Sequence, residues 1–371
     1  MIKIENLLKT YVINQKQNKV ALNGINLEIK DGEFVALLGP SGCGKTTTLM
    51  ILAGILKPTS GNIYFGDKIV NHVEPKDRNI GMVFQSYALY PHLSVRDNIA
   101  FPLKQQKMPK SERYKRVEKV AKSVQLSELL DRKPTQLSGG QQQRVAMARA
   151  LCKEPEYLLL DEPMSNLDTR LKLDVRDQIR TLQQRLNLTT IIVTHDQEEA
   201  MAIADRIAIL DQGVIQQFGT PKELYQNPAN LFVANFLGNP PMNIIRGNLE
   251  RDGDFYKIVS NFSKIKVFRK DKSLNKYLQK KIALGIRPAE IMPCDTNDKE
   301  AQFFDVTLVE HLGDRILVKM ENSNEGEESY LRMICSNIYP IRIGDRIPVK
   351  LKIESISLFD LEKNGKNIFI N

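Results

Sequence analysis

No stretch of this sequence is apolar for the ~18 residues that a membrane-crossing helix needs. Apolar runs such as residues 34–38 and 157–160 have the length of buried strands. A signal-peptide pattern is also missing, since Met1-Ile2-Lys3-Ile4-Glu5 alternates like a strand. The chain is therefore expected to stay in the cytosol and to meet a membrane only through a partner. Cysteine is sparse: Cys43, Cys152, Cys294 and Cys335 stand far apart, with neither metal-ligand spacing nor a disulfide framework, and read as reduced thiols. Aromatic residues are not interleaved with basic clusters, so no nucleic-acid surface is indicated.

What remains is an ordinary globular composition, 42% hydrophobic and 26% charged over 371 residues, enough for two domains. The formal charge of +9 suits phosphates, an acidic partner or an anionic membrane face as well as it suits a plain solvated surface. Along the first part, strand-like runs at residues 34–38, 81–84, 157–160, 190–193 and 206–210 alternate with helical stretches such as 44–56 and 111–125. Val117, Val120, Ala121 and Val124 form an apolar stripe on the second of these, read as core packing. This alternation predicts an α/β layer with a mostly parallel sheet. Thr220-Pro221-Lys222-Glu223 opens one more helix. Beyond Leu237 the style changes to short β-type runs, at 264–268, 281–286, 304–309, 315–319, 347–353 and 356–359, separated by Gly, Asp and Asn turns. A small all-β barrel is expected there, with the domain boundary near residue 236.

Gly39-Pro40-Ser41-Gly42-Cys43-Gly44-Lys45-Thr46 fits the phosphate-loop pattern, between a strand and a helix. Glycines let the backbone wrap so that its N–H groups face phosphate oxygens, and the helix start adds partial positive charge. Lys45 has the reach for β- and γ-phosphates, and the Thr46 hydroxyl for Mg²⁺. Downstream, an apolar run ends in Asp161-Glu162: the first acid suits the metal, the second a water attacking the γ-phosphate. Leu137-Ser138-Gly139-Gly140-Gln141 opens another helix with free N–H groups but no lysine of its own. Composition alone yields that string in on the order of a few chains per ten thousand, so accident is a poor account of it.

Together these motifs resemble the ATP-binding subunit of an ABC transporter, and more narrowly the ATPases of binding-protein-dependent carbohydrate importers of the maltose and glycerol-phosphate type. The resemblance covers essentially the whole chain. It implies a P-loop ABC cassette over residues 1–236, with a helical subdomain at about 87–150, and an OB-like, TOBE-type regulatory domain over 237–371. The C-terminal part of the resemblance rests on Asn239-Pro240-Pro241-Met242-Asn243, Gly285-Ile286-Arg287-Pro288 and Glu310-His311-Leu312-Gly313. It further implies that Tyr11 stacks on adenine, that residues 39–46 and Thr47 bind the triphosphate, and that Gln85 contacts Mg²⁺ or the attacking water. By the same resemblance, Ser138, Gly139, Gly140 and Gln141 bind the γ-phosphate of ATP held by a partner chain. Asp161 serves the metal, Glu162 is the base, Asp168 lies at the dimer seam and His195 touches the γ-phosphate as a switch. Asn166 departs from the alanine often found at its position. Residues 86–93, aromatic-rich and following Gln85, are implied to receive a short helix of a membrane subunit.

The implied protein is a translocase-class ATPase on the cytoplasmic face of the membrane. It is a homodimer using ATP and Mg²⁺, with two integral membrane permease subunits, an extracytoplasmic solute-binding protein, a cytosolic regulator on the C-terminal domain and no nucleic acid. Carbohydrate is the first choice of cargo, ahead of polyamine, glycerol phosphate or metal ions. A soluble ABC-type ATPase of translation or DNA repair usually carries two cassettes or a long coiled coil. This chain has one phosphate loop and no long heptad array.

Overall fold

The computed structural model describes every residue except 15, 16, 254, 261–263, 270, 271, 299, 322–329 and 371. It divides into two compact units, Met1–Pro221 and Lys222–Asn371.

The first unit opens with a long antiparallel hairpin, β1 (Ile2–Asn14) and β2 (Gln17–Ile29). Then come β3 (Phe34–Leu38), α1 (Lys45–Leu52), β4 (Ser60–Phe65), β5 (Lys68–Ile69) and β6 (Ile80–Val83). A helical stretch follows, with α2 (Val95–Gln105), α3 (Lys110–Ser123) and α4 (Gly139–Leu151). The remaining elements are β7 (Tyr157–Asp161), α5 (Thr169–Leu186), β8 (Thr189–Thr194), α6 (Gln197–Ile203), β9 (Arg206–Asp211) and β10 (Val214–Gly219). One sheet runs β2-β1-β4-β5 and the other β10-β9-β3-β8-β7-β6. In the second, β9, β3, β8, β7 and β6 are parallel neighbours, as the alternation predicts. β3, β7 and β8 are buried along their whole length, which is why they read as unbroken apolar runs.

The helix after the phosphate loop is shorter than the expected 44–56. It stops at Leu52 because Gly54, at φ 79°, turns the chain away. Buried Arg78 then takes the last carbonyls, donating from Nη1 to Ile51 O (2.9 Å) and Leu52 O (2.8 Å).

Two short helices open the second unit among its described residues, α7 (Pro221–Gln226), whose first residue ends the first unit, and α8 (Leu231–Phe236). Among the described residues eleven strands follow: β11 (Asn243–Asp252), β12 (Phe255–Val259), β13 (Lys264–Arg269), β14 (Lys281–Ile286), β15 (Ile291–Pro293), β16 (Gln302–His311), β17 (Arg315–Glu321), β18 (Tyr330–Ser336), β19 (Arg346–Leu351), β20 (Ser357–Asp360) and β21 (Lys366–Asn367). They form two antiparallel sheets, β13-β12-β11-β14-β20-β21 and β15-β19-β16-β17-β18. Leu249, Ile258, Ile282 and Leu284 from one sheet share a single apolar core with Phe304, Val318, Met333 and Val349 from the other. Each of the six expected runs overlaps a strand, although 347–353 runs past the end of β19 at Leu351; among the described residues β11, β12, β15, β18 and β21 add to them.

The units divide ahead of the expected boundary at 236, and the reason is Arg287. Its guanidinium, buried and 4.2 Å from the Tyr225 ring, donates to Tyr225 O (3.0 Å), Ala234 O (3.0 Å) and Leu237 O. Burial brings its pKa down to about 10. The ends of α7 and α8 are thereby tied to the strand unit. Leu231 N to Gly365 O (2.9 Å) and Asn367 N to Ala229 O (2.8 Å) add to this.

Candidate functional site

Parallel register builds the site. Leu38 pairs with Thr194, Asp161 with Val193, and Val83 with Leu160. One or two residues later the chain reaches Gly39, Glu162, His195 and Gln85, all at the carboxyl edge of one sheet, the edge where open α/β sheets bind ligands.

The phosphate loop leaves β3 at Gly39, where a Cβ would lie 2.2 Å from Leu210 O. It enters α1 at Gly44, which has φ 111° and where a Cβ would lie 2.6 Å from Leu22 Cδ2 and 2.7 Å from Ala21 O. Glycine is thus required for conformation and for space. The same crowding presses the β1–β2 hairpin against the loop. Tyr11, Lys19 and Ala21 of the hairpin share a cavity of about 310 Å³ with Ser41, Gly42, Gly44, Lys45, Thr46, Thr47 and Glu162. Tyr11 is 37% exposed, and Lys9 Nζ sits 5.1 Å from its ring centroid. Lys19 and Ala21 were not legible in sequence, because only the hairpin register, Tyr11 opposite Lys19, places them here. Lys45 is buried, its Nζ donating to Gly39 O (2.7 Å) and Pro40 O (2.9 Å). Cys43 is also buried, and burial pushes its thiol pKa up. Burial takes Cys152 to about 11. The four cysteines are unpaired.

Thr46 Oγ1 donates to Asp161 Oδ1 at 3.3 Å. Burial is the largest influence on the Asp161 carboxyl and raises its pKa; the Thr46 bond opposes this, Glu162 adds to it and Lys45 opposes it. A desolvated carboxylate beside a hydroxyl is a hard-oxygen donor pair that fits Mg²⁺, an ion usually held by one or two carboxylates together with substrate phosphates. Among the described residues no cluster of three His, Cys, Asp or Glu could hold a metal without such help.

A raised carboxylate pKa has a defined sign for stability. Ionised Asp161 costs stability above its folded-state pKa, and the cost is relieved as pH falls through it. Asp161→Asn should therefore raise the melting temperature of the metal-free chain at neutral pH, while Mg²⁺-dependent ATP hydrolysis is lost. Thermal unfolding in EDTA at neutral pH checks this; a lowered melting temperature would contradict it.

Glu162 continues the strand pairing, its N–H donating to Val193 O at 2.9 Å, and adopts φ 43°, sparsely populated for a non-glycine. Its Oε2 accepts from Gln85 Nε2 (3.2 Å) and lies 3.2 Å from His195 Nδ1. Gln85, Glu162 and His195 thus converge on one carboxylate oxygen. Two residues that sequence reasoning did not assign complete the group. Ser165 Oγ donates to Glu162 O (3.0 Å) and accepts from Gln85 Nε2 (3.4 Å). Asn166 Nδ2 donates to Gln85 O (3.2 Å), so the departure from alanine adds a tie to Gln85.

Ser138 caps α4 in a capping box: Oγ accepts from Gln141 N (3.4 Å), and Gln141 Oε1 accepts from Ser138 N (3.0 Å). Ser138, Gly139, Gly140 and Gln141 do not line the phosphate-loop cavity. They pack toward the turn into α5: a Cβ on Gly139 would lie 3.3 Å from Leu167 Cδ2. Asp168 caps α5, accepting from Leu171 N at 3.1 Å.

Comparison with known proteins decides the family. Residues 22–165 match the ABC transporter family model, and residues 238–291 match the MalK OB fold domain. The sn-glycerol-3-phosphate import ATP-binding protein of Cupriavidus pinatubonensis is 42% identical, with 99% of each chain covered. The chain belongs to the ATP-binding subunits of ABC importers. Within this family, the trehalose/maltose import ATP-binding protein of Thermococcus litoralis is 44% identical over 94% of this chain and 95% of its own. The Fe(3+) ions import ATP-binding protein of Fusobacterium nucleatum is 42% identical over 99% of this chain and 95% of its own. A solved dimeric structure of a bacterial ABC transporter cassette aligns at TM-score 0.55 and 37% identity, covering 60% of this chain and 99% of that one. This import ATP-binding subunit is thus an ABC-type ATPase that binds ATP. Among its described residues no helix is long and apolar enough to cross a membrane.

Proposed function

We propose that this subunit is the ATP-hydrolysing motor of a binding-protein-dependent importer, acting as a homodimer whose two ATP sites are each completed by the partner chain. The observation that carries this reading is the α4 start. It is a helix start whose cap is satisfied through Gln141 N–H, leaving the Gly139 and Gly140 N–H groups without an intrahelical carbonyl, and it is set outside the cavity of its own phosphate loop. Each ATP would lie between the phosphate loop of one chain and Ser138, Gly139, Gly140 and Gln141 of the other.

In this reading Tyr11 stacks on adenine, and residues 39–46 with Thr47 hold the triphosphate by backbone N–H groups. Lys45 exchanges its bonds to Gly39 O and Pro40 O for the β- and γ-phosphates. Thr46 and Asp161 would hold Mg²⁺, with Gln85 beside them, and the bound ion would supply neutralisation of charge on the phosphate oxygens. Glu162 accepts the proton of the attacking water. His195, next to the same carboxylate oxygen, touches the γ-phosphate, and Asp168 lies at the seam between chains. The second unit contributes dimer contact and a surface for a cytosolic regulator. Closure of the dimer on ATP would drive two permease subunits at the cytoplasmic face of the membrane, which receive cargo from an extracytoplasmic solute-binding protein.

The cargo favoured is a sugar or sugar derivative, supported by the MalK-type OB domain and by the relative named for trehalose/maltose import. Reconstitution with co-purified membrane permease subunits, followed by ATPase assay with candidate solutes, tests this. Stimulation by a sugar or sugar phosphate is expected; stimulation by ferric ion alone would overturn the cargo class.

A further inference from the structure

Residues Tyr87 and Ala88 follow Gln85 and both adopt the left-handed backbone region, at φ 59° and 48°. Two consecutive non-glycine residues there are held only where the surroundings insist on it. The insistence comes from Arg149, in the last turn of α4. Its Nη2 donates to Tyr87 O and its Nη1 to Ala88 O, both at 2.7 Å, and the guanidinium lies 5.8 Å from the Tyr90 ring. A planar fork with two parallel donors is what this pair of carbonyls needs; a lysine would supply a single point of attachment. The other end of α4 begins at the Ser138 cap, and a 13-residue helix is a rod of about 20 Å. The rod also lies hard against the strand leading to Gln85, since a Cβ on Gly81 would lie 2.8 Å from Ala150 O.

We infer that Arg149 is a positioning residue that transmits occupancy at the α4 start to the segment after Gln85 by clamping the Tyr87–Ala88 turn. This rests on the shared-site reading above. The far end of that segment is separately anchored: Asn98 Nδ2 donates to Tyr90 O (3.0 Å) and Ser94 O (3.0 Å), and Asn98 Oδ1 accepts from Tyr90 N (2.8 Å). The movable part is therefore the Tyr87–Ala88 turn, biased by two bonds from the helix whose start faces the partner's ATP. Tyr87 itself is buried, so the contact surface of the segment falls to exposed Ser86, Ala88, Pro91 and His92.

The chain contains no tryptophan, so His92→Trp makes a sole fluorescent reporter in the segment. A non-hydrolysable ATP analogue with Mg²⁺ should change its emission in the full-length chain. Arg149→Met should lose most of that change while the analogue's Kd stays within about threefold, and Arg149→Lys should fall between. Adding Ala88→Gly to Arg149→Met should restore the response, because glycine holds the left-handed turn without the clamp. If Arg149→Met does not fold, Arg149→Lys with and without Ala88→Gly makes the same comparison. The inference is overturned by an undiminished response in the arginine variants. A response that falls only in proportion to analogue affinity, or a failure of Ala88→Gly to restore it, also overturns it. A parent chain that binds the analogue with a silent reporter overturns the inference alone; a parent chain that binds none removes the ATP-site reading first.

Discussion

Replacement of Glu162 by glutamine should leave ATP binding within about threefold of the parent and reduce turnover by roughly 10²- to 10⁴-fold, the span typical for loss of a general base. The substitution keeps the shape of the side chain, its left-handed backbone and an oxygen able to accept from Gln85 Nε2. What it removes is the charge and proton affinity at the oxygen that Gln85 and His195 both approach. Equilibrium nucleotide binding and steady-state ATPase rate, measured on one preparation, separate the two effects. Turnover near the parent rate would deny Glu162 the role of base. Equal loss of binding and turnover would make it a structural residue of the cavity.

A second large effect distinguishes shared sites from self-contained ones. Lys45→Ala and Ser138→Arg chains should each be nearly inactive alone. Mixed in equal amounts, half of the dimers would be heterodimers, each with one site free of both lesions. Activity should then return to about a quarter of the parent value, given a two-fold symmetric pair with independent sites. Arginine at 138 is chosen because it removes the cap acceptor and fills the α4 start, while leaving Lys45 untouched in its own loop. If no mixing ratio raises the ATPase rate in a sample that exchanges subunits, each chain must complete its own site.

Much of the chemistry is legible in the linear sequence. A phosphate loop, a capped helix start and a strand ending in two acids are local devices. Glycine at Gly39 and Gly44, serine at the α4 cap and a buried run before Asp161 each specify backbone within a few residues, so neighbouring residues suffice to spell them. The parallel character of the main sheet is legible for the same reason, through unbroken apolar runs. The β-rich C-terminal part shows in its short runs and turn residues, although β11, β12 and β18 carry too weak an alternation to stand out and β15 and β21 are too short.

The tertiary structure alone decided how these pieces meet. Gln85, Glu162 and His195 lie 110 residues apart at the extremes and come together through strand register, which depends on packing between segments. Tyr11 and Lys19 face the phosphate loop because the hairpin presses on Gly44, a contact with no sequence period. The unit boundary moved ahead of residue 236 because one buried arginine, Arg287, claims the carbonyl ends of α7 and α8. Arg149 reads in sequence as one more basic residue at a helix end; its two bonds to Tyr87 and Ala88 exist only once α4 and the post-Gln85 segment are packed side by side. Sequence determined the parts whose function depends on local backbone, and the fold determined which parts share a carboxylate, a cavity or a clamp, because those depend on distances between segments that no local pattern encodes.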